Sequence, residues 1–505
     1  MIRPLLPLWA AVLVAAASGP ILDAAFPDRN IWPLSFVGIA LVLVTLPGRR
    51  AGAAFLVGLI SGLSFYLVHI SWATEFLGDV VPMLALVTLE SLFVAAGTTL
   101  ISLAYRWLPR VWPTALGRVG LLPVVVAGLW TAREAIMSVW PYGGFAWGRV
   151  ALSQSQSPVS DLVGWLGLSG MSFVMVLVVA VAVEAARYPH AGRYLRVSVA
   201  VGLAALVLAV PAFPVATDGS IRVAAVQGNG KAAYLDQREY GDLLIAQLEA
   251  TEAIEDKTAD VVLWPEGGTD VNPIENASAA RYFDLVARQF DAPVVSGAIT
   301  EDGELIHNSS ILWREGEGAV DIYNKRHPVP FGEYIPDRAF WRPFAPDLID
   351  LVQREYAIGT TDPVFDLGNG VIVGVNICFD IVDDQLMTES VRDGAQVIFA
   401  QSNNADFGHT DESEQQLAIA RLRAMELGRS VVNISTVGTS AIIRPDGTTI
   451  SQLPTYEAGA MVEDVPTSSV VTAAVIGGRQ IEWLVSFFAL AVLLLGGLLA
   501  RRPRG

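Results

Sequence analysis

The sequence predicts a membrane α-helical bundle of eight transmembrane helices that carries one water-exposed α/β domain. Three observations predict it. Apolar runs of membrane-spanning length crowd residues 1–212, a charged, strand-rich stretch fills 213–481, and 482–505 returns to an apolar run that ends in arginines. Over all 505 residues the chain is 53% hydrophobic and only 16% charged, where an ordinary soluble protein carries about 25% charged residues.

A helix needs about 20 mostly apolar residues to cross the hydrocarbon core of a bilayer. Seven such stretches precede the domain, namely Leu5–Ala25, Ile31–Leu46, Ala51–Trp72, Val80–Ala104, Leu121–Val139, Val159–Val183 and Leu195–Ala212. Trp483–Ala500 makes the eighth. Arginines orient them, because basic residues collect in cytoplasmic loops. Alternate loops hold Arg49 and Arg50, then Arg106, Arg110 and Arg118, then Arg187, Arg193 and Arg196. The intervening loops hold only Arg29, no basic residue between Ser71 and Val80, and Arg149. Arg3 and the terminal Arg501, Arg502 and Arg504 fall on the rich side. Both termini are therefore expected in the cytoplasm and the domain on the extracytoplasmic face. The small residues Ala15–Gly19 also fit a cleaved signal peptide, but the loop charges favour an uncut first helix.

Within the domain, strand-like runs alternate with helical ones, which predicts α/β layering. The strands expected are Ile221–Gln227, Val261–Trp264, Val294–Ile299, Ser309–Trp313, Val371–Ile377, Val397–Ala400 and Val431–Ser435. Tyr240–Ile254, Ala279–Phe290, Asp384–Asp393 and Glu414–Gly428 read as helices, and Asp446-Gly447 as a hairpin turn. The domain holds 41 acidic against 18 basic residues, which argues against nucleic-acid binding, since that needs a basic footprint.

Three strand ends carry chemistry. VVLWPEGG delivers Glu266 at the edge of a buried run, before two glycines that let the chain turn. IYNKRHPVPFGEYIP holds Lys325, one of only three lysines, and Glu333. VIVGVNICFD presents Cys378, the only cysteine, at a turn. Taken singly, each has an ordinary reading: a surface glutamate, a structural ion pair, a small buried hydrophobe. Together they make chemical sense. A carboxylate can take the thiol's proton, the thiolate attacks a carbonyl, and an ammonium steadies the oxyanion that forms. The five histidines (His69, His190, His307, His327, His409) are scattered, so no metal site and no Ser-His-Asp arrangement competes.

WPE, YNKRHPVPFGEYIP and ICFD, in that order, resemble the Glu-Lys-Cys triad of the nitrilase (carbon–nitrogen hydrolase) superfamily, whose domain is a four-layer αββα sandwich. With seven spans before this domain and one after, the chain resembles the apolipoprotein N-acyltransferase family, of an actinobacterial-like branch. The resemblance implies Glu266 as general base, Lys325 as oxyanion stabiliser, Cys378 as nucleophile and Glu333 as a second essential glutamate. It implies no dissociable cofactor, a phospholipid acyl donor, a diacylated apolipoprotein acceptor and residence in a bacterial plasma membrane. It also brings a polyprenol-phosphate mannose synthase as a partner in some actinobacteria. Phe379 and Asp380 stand where many members have Tyr-Glu, Asp406 where a Trp is frequent, and Gln416 where a His is frequent. Tyr234 falls where a lid Trp is common. Phe145 and Trp147, in the loop after the fifth span, read either as the lining of a lipid entrance or as interfacial anchors.

Two other functions fit parts of this pattern. A membrane-anchored amidase or nitrilase would use the same triad with water as acceptor, but one anchor would suffice for it. A non-catalytic partner of a lipid-linked glycosyltransferase would not need the three reactive residues.

Overall fold

The structure, a computed structural model, describes residues 4–76, 78–188 and 193–501. The chain divides into two compact units, one of Met1–Thr74, Gly78–Phe213 and Ile476–Gly505, the other of Glu75–Leu77 and Pro214–Val475.

The first unit is helical. Its helices are α1 (Leu8–Asp23), α2 (Pro33–Thr45), α3 (Ala51–His69), α4 (Val80–Val111), α5 (Leu122–Met137), α6 (Val163–Arg187), α7 (Arg193–Leu208) and the C-terminal α14 (Ala473–Ala500). Each expected span is helical, but among the described residues five segments are long and apolar enough to cross a membrane. These are Ala51–His69, Val80–Val111, Leu116–Met137, Ser160–Arg187 and Ala473–Ala500. Helices α1 and α2 are apolar but only 16 and 13 residues long, about 24 and 20 Å at 1.5 Å per residue. Prolines set their starts: Pro7 caps α1 and Pro33 opens α2.

Helix α14 starts at Ala473, earlier than the expected Trp483. Hydropathy hides this first stretch, since Gly477, Gly478, Arg479, Gln480 and Glu482 interrupt the apolar run. Glu482 accepts a hydrogen bond from Ser169 (2.6 Å), and Arg479 lies over the Trp483 ring at 5.0 Å. Small residues bring helices of this unit close together. A Cβ on Gly62 of α3 would stand 2.7 Å from the Ser91 Cα of α4, the close approach that small residues permit in membrane bundles. Buried charge is paired: Glu184 on α6 accepts from Arg118 (2.9 Å) and pairs with Arg187.

The second unit contains two six-stranded sheets. The first runs β12-β1-β2-β3-β4-β5, with β1 Gly219–Gln227, β2 Val261–Leu263, β3 Val294–Asp302, β4 Leu305–Arg314, β5 Gly318–Asn324 and β12 Gly459–Thr467. The second runs β11-β10-β9-β8-β7-β6, with β6 Val364–Asp366, β7 Ile372–Ile377, β8 Val397–Ser402, β9 Ser430–Ser435, β10 Ala441–Ile443 and β11 Thr449–Gln452. Strands β1, β2 and β3 are parallel, as are β7, β8 and β9; every other pairing is antiparallel.

Alternation along the strands builds the layers. Ile221, Val223 and Ala225 point inward and share one core with Val373, Val375 and Ile377 of the opposite sheet, because successive side chains leave a strand on opposite faces. Ala224 and Val226 point outward instead, onto α8 (Asp242–Glu252) and α9 (Ala277–Phe290). Helix α9 shows why such a segment folds: Ala279, Phe283, Val286, Ala287 and Phe290 fall on one face and are buried. Asn276 caps it, accepting the Ser278 and Ala279 N–H groups. Between the sheets' edge strands run two single-turn helices, α10 (Arg338–Trp341) and α11 (Pro346–Ile349). Helices α12 (Asp384–Arg392) and α13 (Glu412–Leu427) cover the second sheet. The result is an αββα stack.

Candidate active site

Strand β2 leads into the fully buried Trp264, which anchors the turn that follows. Its indole packs against Phe283 at 5.1 Å and donates to Thr251 (3.1 Å), and its carbonyl accepts from Gln401 of the other sheet (2.6 Å). Pro265 and Glu266 leave the sheet directly over β3. A Cβ on Gly297 would lie 2.6 Å from the Glu266 Cα, so a larger residue at 297 would displace the turn that carries the carboxylate. Thr436 holds the Glu266 carbonyl at 3.0 Å.

Lys325 follows β5 and is 1% exposed. Its backbone N–H donates to the Asn308 carbonyl (2.8 Å). Its Nζ lies 2.8 Å from Glu333 Oε2 and 3.5 Å from Glu266 Oε1. Asn308, one strand away, donates from Nδ2 to Oε1 of both glutamates, at 2.8 Å each. Val329 N–H donates to the remaining Glu333 oxygen (2.7 Å). Glu333 is thereby held on three sides, while Glu266 keeps an oxygen for other work. No sequence signal singled out Asn308 from its polar neighbours His307, Ser309 and Ser310 in β4.

Cys378 sits where β7 breaks into the turn Cys378–Val382. Its φ of +50° is left-handed, which costs a non-glycine residue about 1 kcal/mol or more and recurs at functional turns. The half-buried thiol packs on the intersheet core. Asp380, two residues on, is fully buried and ties this turn to the lysine segment. It accepts from the Ile377 N–H (3.2 Å), the His327 N–H (3.0 Å) and the Tyr323 hydroxyl (2.8 Å). His327 faces Asp380 and Asp383 at 3.4 and 3.6 Å.

The electrostatics suit a resting thiol with a base beside it. Burial raises the Cys378 thiol well above its ordinary value; Glu266 raises it further and Lys325 opposes. Burial also raises the Glu266 carboxyl, with Lys325 pulling it back. Burial alone would lower the Lys325 ammonium, but Glu333 and then Glu266 reverse this and hold it well above normal. A neutral thiol, a proton acceptor and a fixed cation therefore share one field. Such a set can move a proton, form a thiolate and hold an oxyanion.

A second group of residues approaches the sulfur from α13. Gln416 Nε2 lies 3.8 Å from Cys378 Sγ. Asn404 Nδ2 donates to Gln416 Oε1 and to Glu412 Oε2, both at 2.7 Å. Burial pushes the Glu412 carboxyl up to about 8. Sequence reasoning passed over Glu412 and Asn404, and noted Gln416 only as a departure from the family pattern.

The remaining candidates lie elsewhere. Tyr234 is exposed; its N–H donates to Asp406 (2.5 Å) and its hydroxyl to the Leu351 carbonyl (3.0 Å). Burial pushes the Asp406 carboxyl up to about 6. Phe379, next to Cys378, is half-buried. Phe145 and Trp147 belong to the helical unit, where they stack at 6.3 Å and meet Trp72 at 6.4 and 5.4 Å. Among the described residues no three His, Cys, Asp or Glu side chains are grouped to hold a metal ion.

Two sheets back to back under helices, with a carboxylate, an ammonium and a thiol at their strand ends, define a domain of the carbon–nitrogen hydrolase class. Residues 222–474 match the carbon-nitrogen hydrolase family, and residues 18–181 match the apolipoprotein N-acyltransferase N-terminal domain. The chain belongs to the apolipoprotein N-acyltransferase family. It is 30% identical to the apolipoprotein N-acyltransferase of Mycolicibacterium smegmatis, over 96% of this chain and 85% of that one. It is 25% identical to that of Photobacterium profundum, over 98% and 96% of the two chains. A solved structure of an amidase of the nitrilase superfamily from Nesterenkonia AN1 aligns at a TM-score of 0.38 and 18% identity, covering 50% of this chain and 94% of that one.

Proposed function

We propose that the chain transfers a fatty acyl group from a membrane phospholipid, by way of a Cys378 thioester, to the N-terminal α-amine of a diacylglyceryl-cysteine apolipoprotein. The single observation that carries this reading is the Lys325 ammonium held between Glu266 and Glu333, in a chain that joins an apolipoprotein N-acyltransferase N-terminal domain to a carbon-nitrogen hydrolase domain. In the first step Glu266 takes the thiol proton and Sγ attacks the phospholipid ester carbonyl. Lys325 meets the developing oxyanion, and the intermediate collapses to a thioester as the lysophospholipid alkoxide leaves with the proton from Glu266. In the second step the α-amine attacks the thioester, its proton passes to Glu266, and the thiolate leaves and is reprotonated. A thioester is reactive enough to acylate an amine, and each step needs only one lipid in reacting geometry. The resemblance adds a polyprenol-phosphate mannose synthase as a partner.

Purified protein supplied with phospholipid vesicles and a diacylglyceryl-cysteine peptide is expected to add one fatty acyl mass to the peptide's α-amine. Mass spectrometry of the peptide checks it. Release of free fatty acid with the peptide unchanged would instead support a membrane-anchored hydrolase.

The topology that goes with this function has eight spans, both termini in the cytoplasm and the catalytic domain outside, in a bacterial plasma membrane. The arginine asymmetry of the loops supports it. A reporter fused after Ala212 is expected to read as extracytoplasmic and one after Gly505 as cytoplasmic. A cytoplasmic signal from the first would overturn the topology.

A further inference from the structure

Three side chains in a row, one end of which touches the nucleophile, are used by no step above. Gln416 Nε2 lies 3.8 Å from Cys378 Sγ. A carboxamide can present either its N–H or its oxygen to a neighbour, and the two are told apart only by the surrounding network. The surrounding hydrogen bonds fit one orientation. Ser402 Oγ donates to Asn404 Oδ1 (2.8 Å), and Ser435 Oγ also meets that oxygen (2.6 Å). The Asn404 nitrogen must then face the other way, where it donates to Glu412 Oε2 and Gln416 Oε1. In this orientation Glu412 accepts from Asn404 at Oε2. Gln416, its oxygen occupied by Asn404, is left with its N–H pointing at the sulfur. The packing allows no slack: a Cβ on Gly438 would lie 2.6 Å from Asn404 Oδ1, and Glu412, Gln416 and Asn404 are all buried.

We propose that Gln416 is a further catalytic residue that donates an N–H to the Cys378 sulfur, and that Asn404 and Glu412 are positioning residues that fix its amide in that orientation. The inference rests on the thioester route proposed above and deepens it. The sulfur carries negative charge twice in that route, when the thiol is deprotonated to attack and when the thiolate leaves the thioester. Lys325 serves the carbonyl oxygen, whereas a donor at 3.8 Å from Sγ serves the sulfur. A neutral amide does this without titrating, so its contribution does not change across the pH range in which Glu266 must act as a base.

The test reads the sulfur directly, since Cys378 is the only cysteine. The rate of its alkylation by iodoacetamide, followed against pH in the full-length protein in detergent, gives the midpoint of thiolate formation. Gln416→Leu is expected to move that midpoint upward, with alkylation about tenfold slower at a fixed pH below it. Gln416→His, which keeps an N–H donor in reach, should restore most of the rate. Glu412→Gln can still accept from Asn404 but removes a negative charge that raises the thiol, so its midpoint should fall. Thermal unfolding of each variant shows that it is folded. An unmoved midpoint in Gln416→Leu, or a raised one in Glu412→Gln, would overturn the assignment. Because the probe needs neither phospholipid nor lipoprotein, such a result is separable from failure of the acyl-transfer reading, which the peptide assay tests on its own.

Discussion

Cys378→Ala is expected to leave a folded, membrane-inserted protein that forms no acyl-enzyme and transfers no acyl chain. Incubated with phospholipid alone, the parent protein should gain one fatty acyl mass on the peptide that holds Cys378, released by hydroxylamine, and the Ala variant should gain none. Losing a nucleophile costs about 10³-fold or more, because the remaining groups can polarise a carbonyl but cannot form the covalent intermediate. Folding should survive, since the half-buried thiol is one atom at the margin of the intersheet core and the turn is held by Asp380 rather than by sulfur. Cys378→Ser tests the same step from the other side. An oxygen ester is less reactive than a thioester, so any acyl group that forms should stay trapped. Transfer to the peptide by Cys378→Ala at a rate near the parent's would refute the mechanism.

Lys325→Met should lower acyl transfer by about 10²- to 10³-fold, the scale of a lost oxyanion donor. It also leaves two buried carboxyls facing each other, since Glu266 and Glu333 share this ammonium and one Asn308 nitrogen. Glu266 is already raised by burial, with Lys325 opposing the rise, so removing the lysine raises it further. A carboxyl whose folded pKa exceeds its unfolded one stabilises the fold fully below the unfolded value, and loses that stabilisation as pH rises through the folded value. The variant should therefore melt at a lower temperature at pH 8 than at pH 5, by a margin larger than the parent's. Thermal unfolding at the two pH values checks this, and equal margins would separate Lys325 from the carboxylates. Arginine is a poor control, because its planar fork does not replace a compact ammonium.

Much of the domain was legible in the sequence because its signal is local. The seven expected strands occur, with ends that differ by a few residues: β4, for example, runs Leu305–Arg314 where Ser309–Trp313 was expected. The hairpin at Asp446-Gly447 joins β10 and β11. Strand β5 showed only through the motif at its end, and β6 and β12 escaped notice; all three lie at sheet edges. An edge strand keeps one side in water and carries polar residues there, as β12 does with Glu463 and Asp464, so its apolar repeat is weak. The membrane helices show the opposite limit. Hydropathy found every expected helix, five of them in segments long and apolar enough to cross a membrane, but helix length depends on where caps and prolines cut the run, and α14 begins inside a stretch that hydropathy counted as domain.

The sequence by itself determined the candidate site residues and their order, because Glu266, Lys325 and Cys378 each end a strand-like run within a motif of unusual composition. What only the tertiary structure decided was their partners. Asn308 stands 42 residues from Glu266 and 25 from Glu333 yet bonds both, and Asp380 reaches 57 residues back to Tyr323. Gln416 meets Cys378 across 38 residues, with its amide turned by Asn404. Periodicity along a chain reports which face of an element is buried, and that repeat is written locally. Which polar atoms meet depends on how two sheets close on each other, and no local pattern encodes the closure. A buried polar group must find a hydrogen-bond partner or incur a desolvation cost of about 1–3 kcal/mol, so the closure, once made, leaves Asn308, Asp380 and Asn404 little choice of partner.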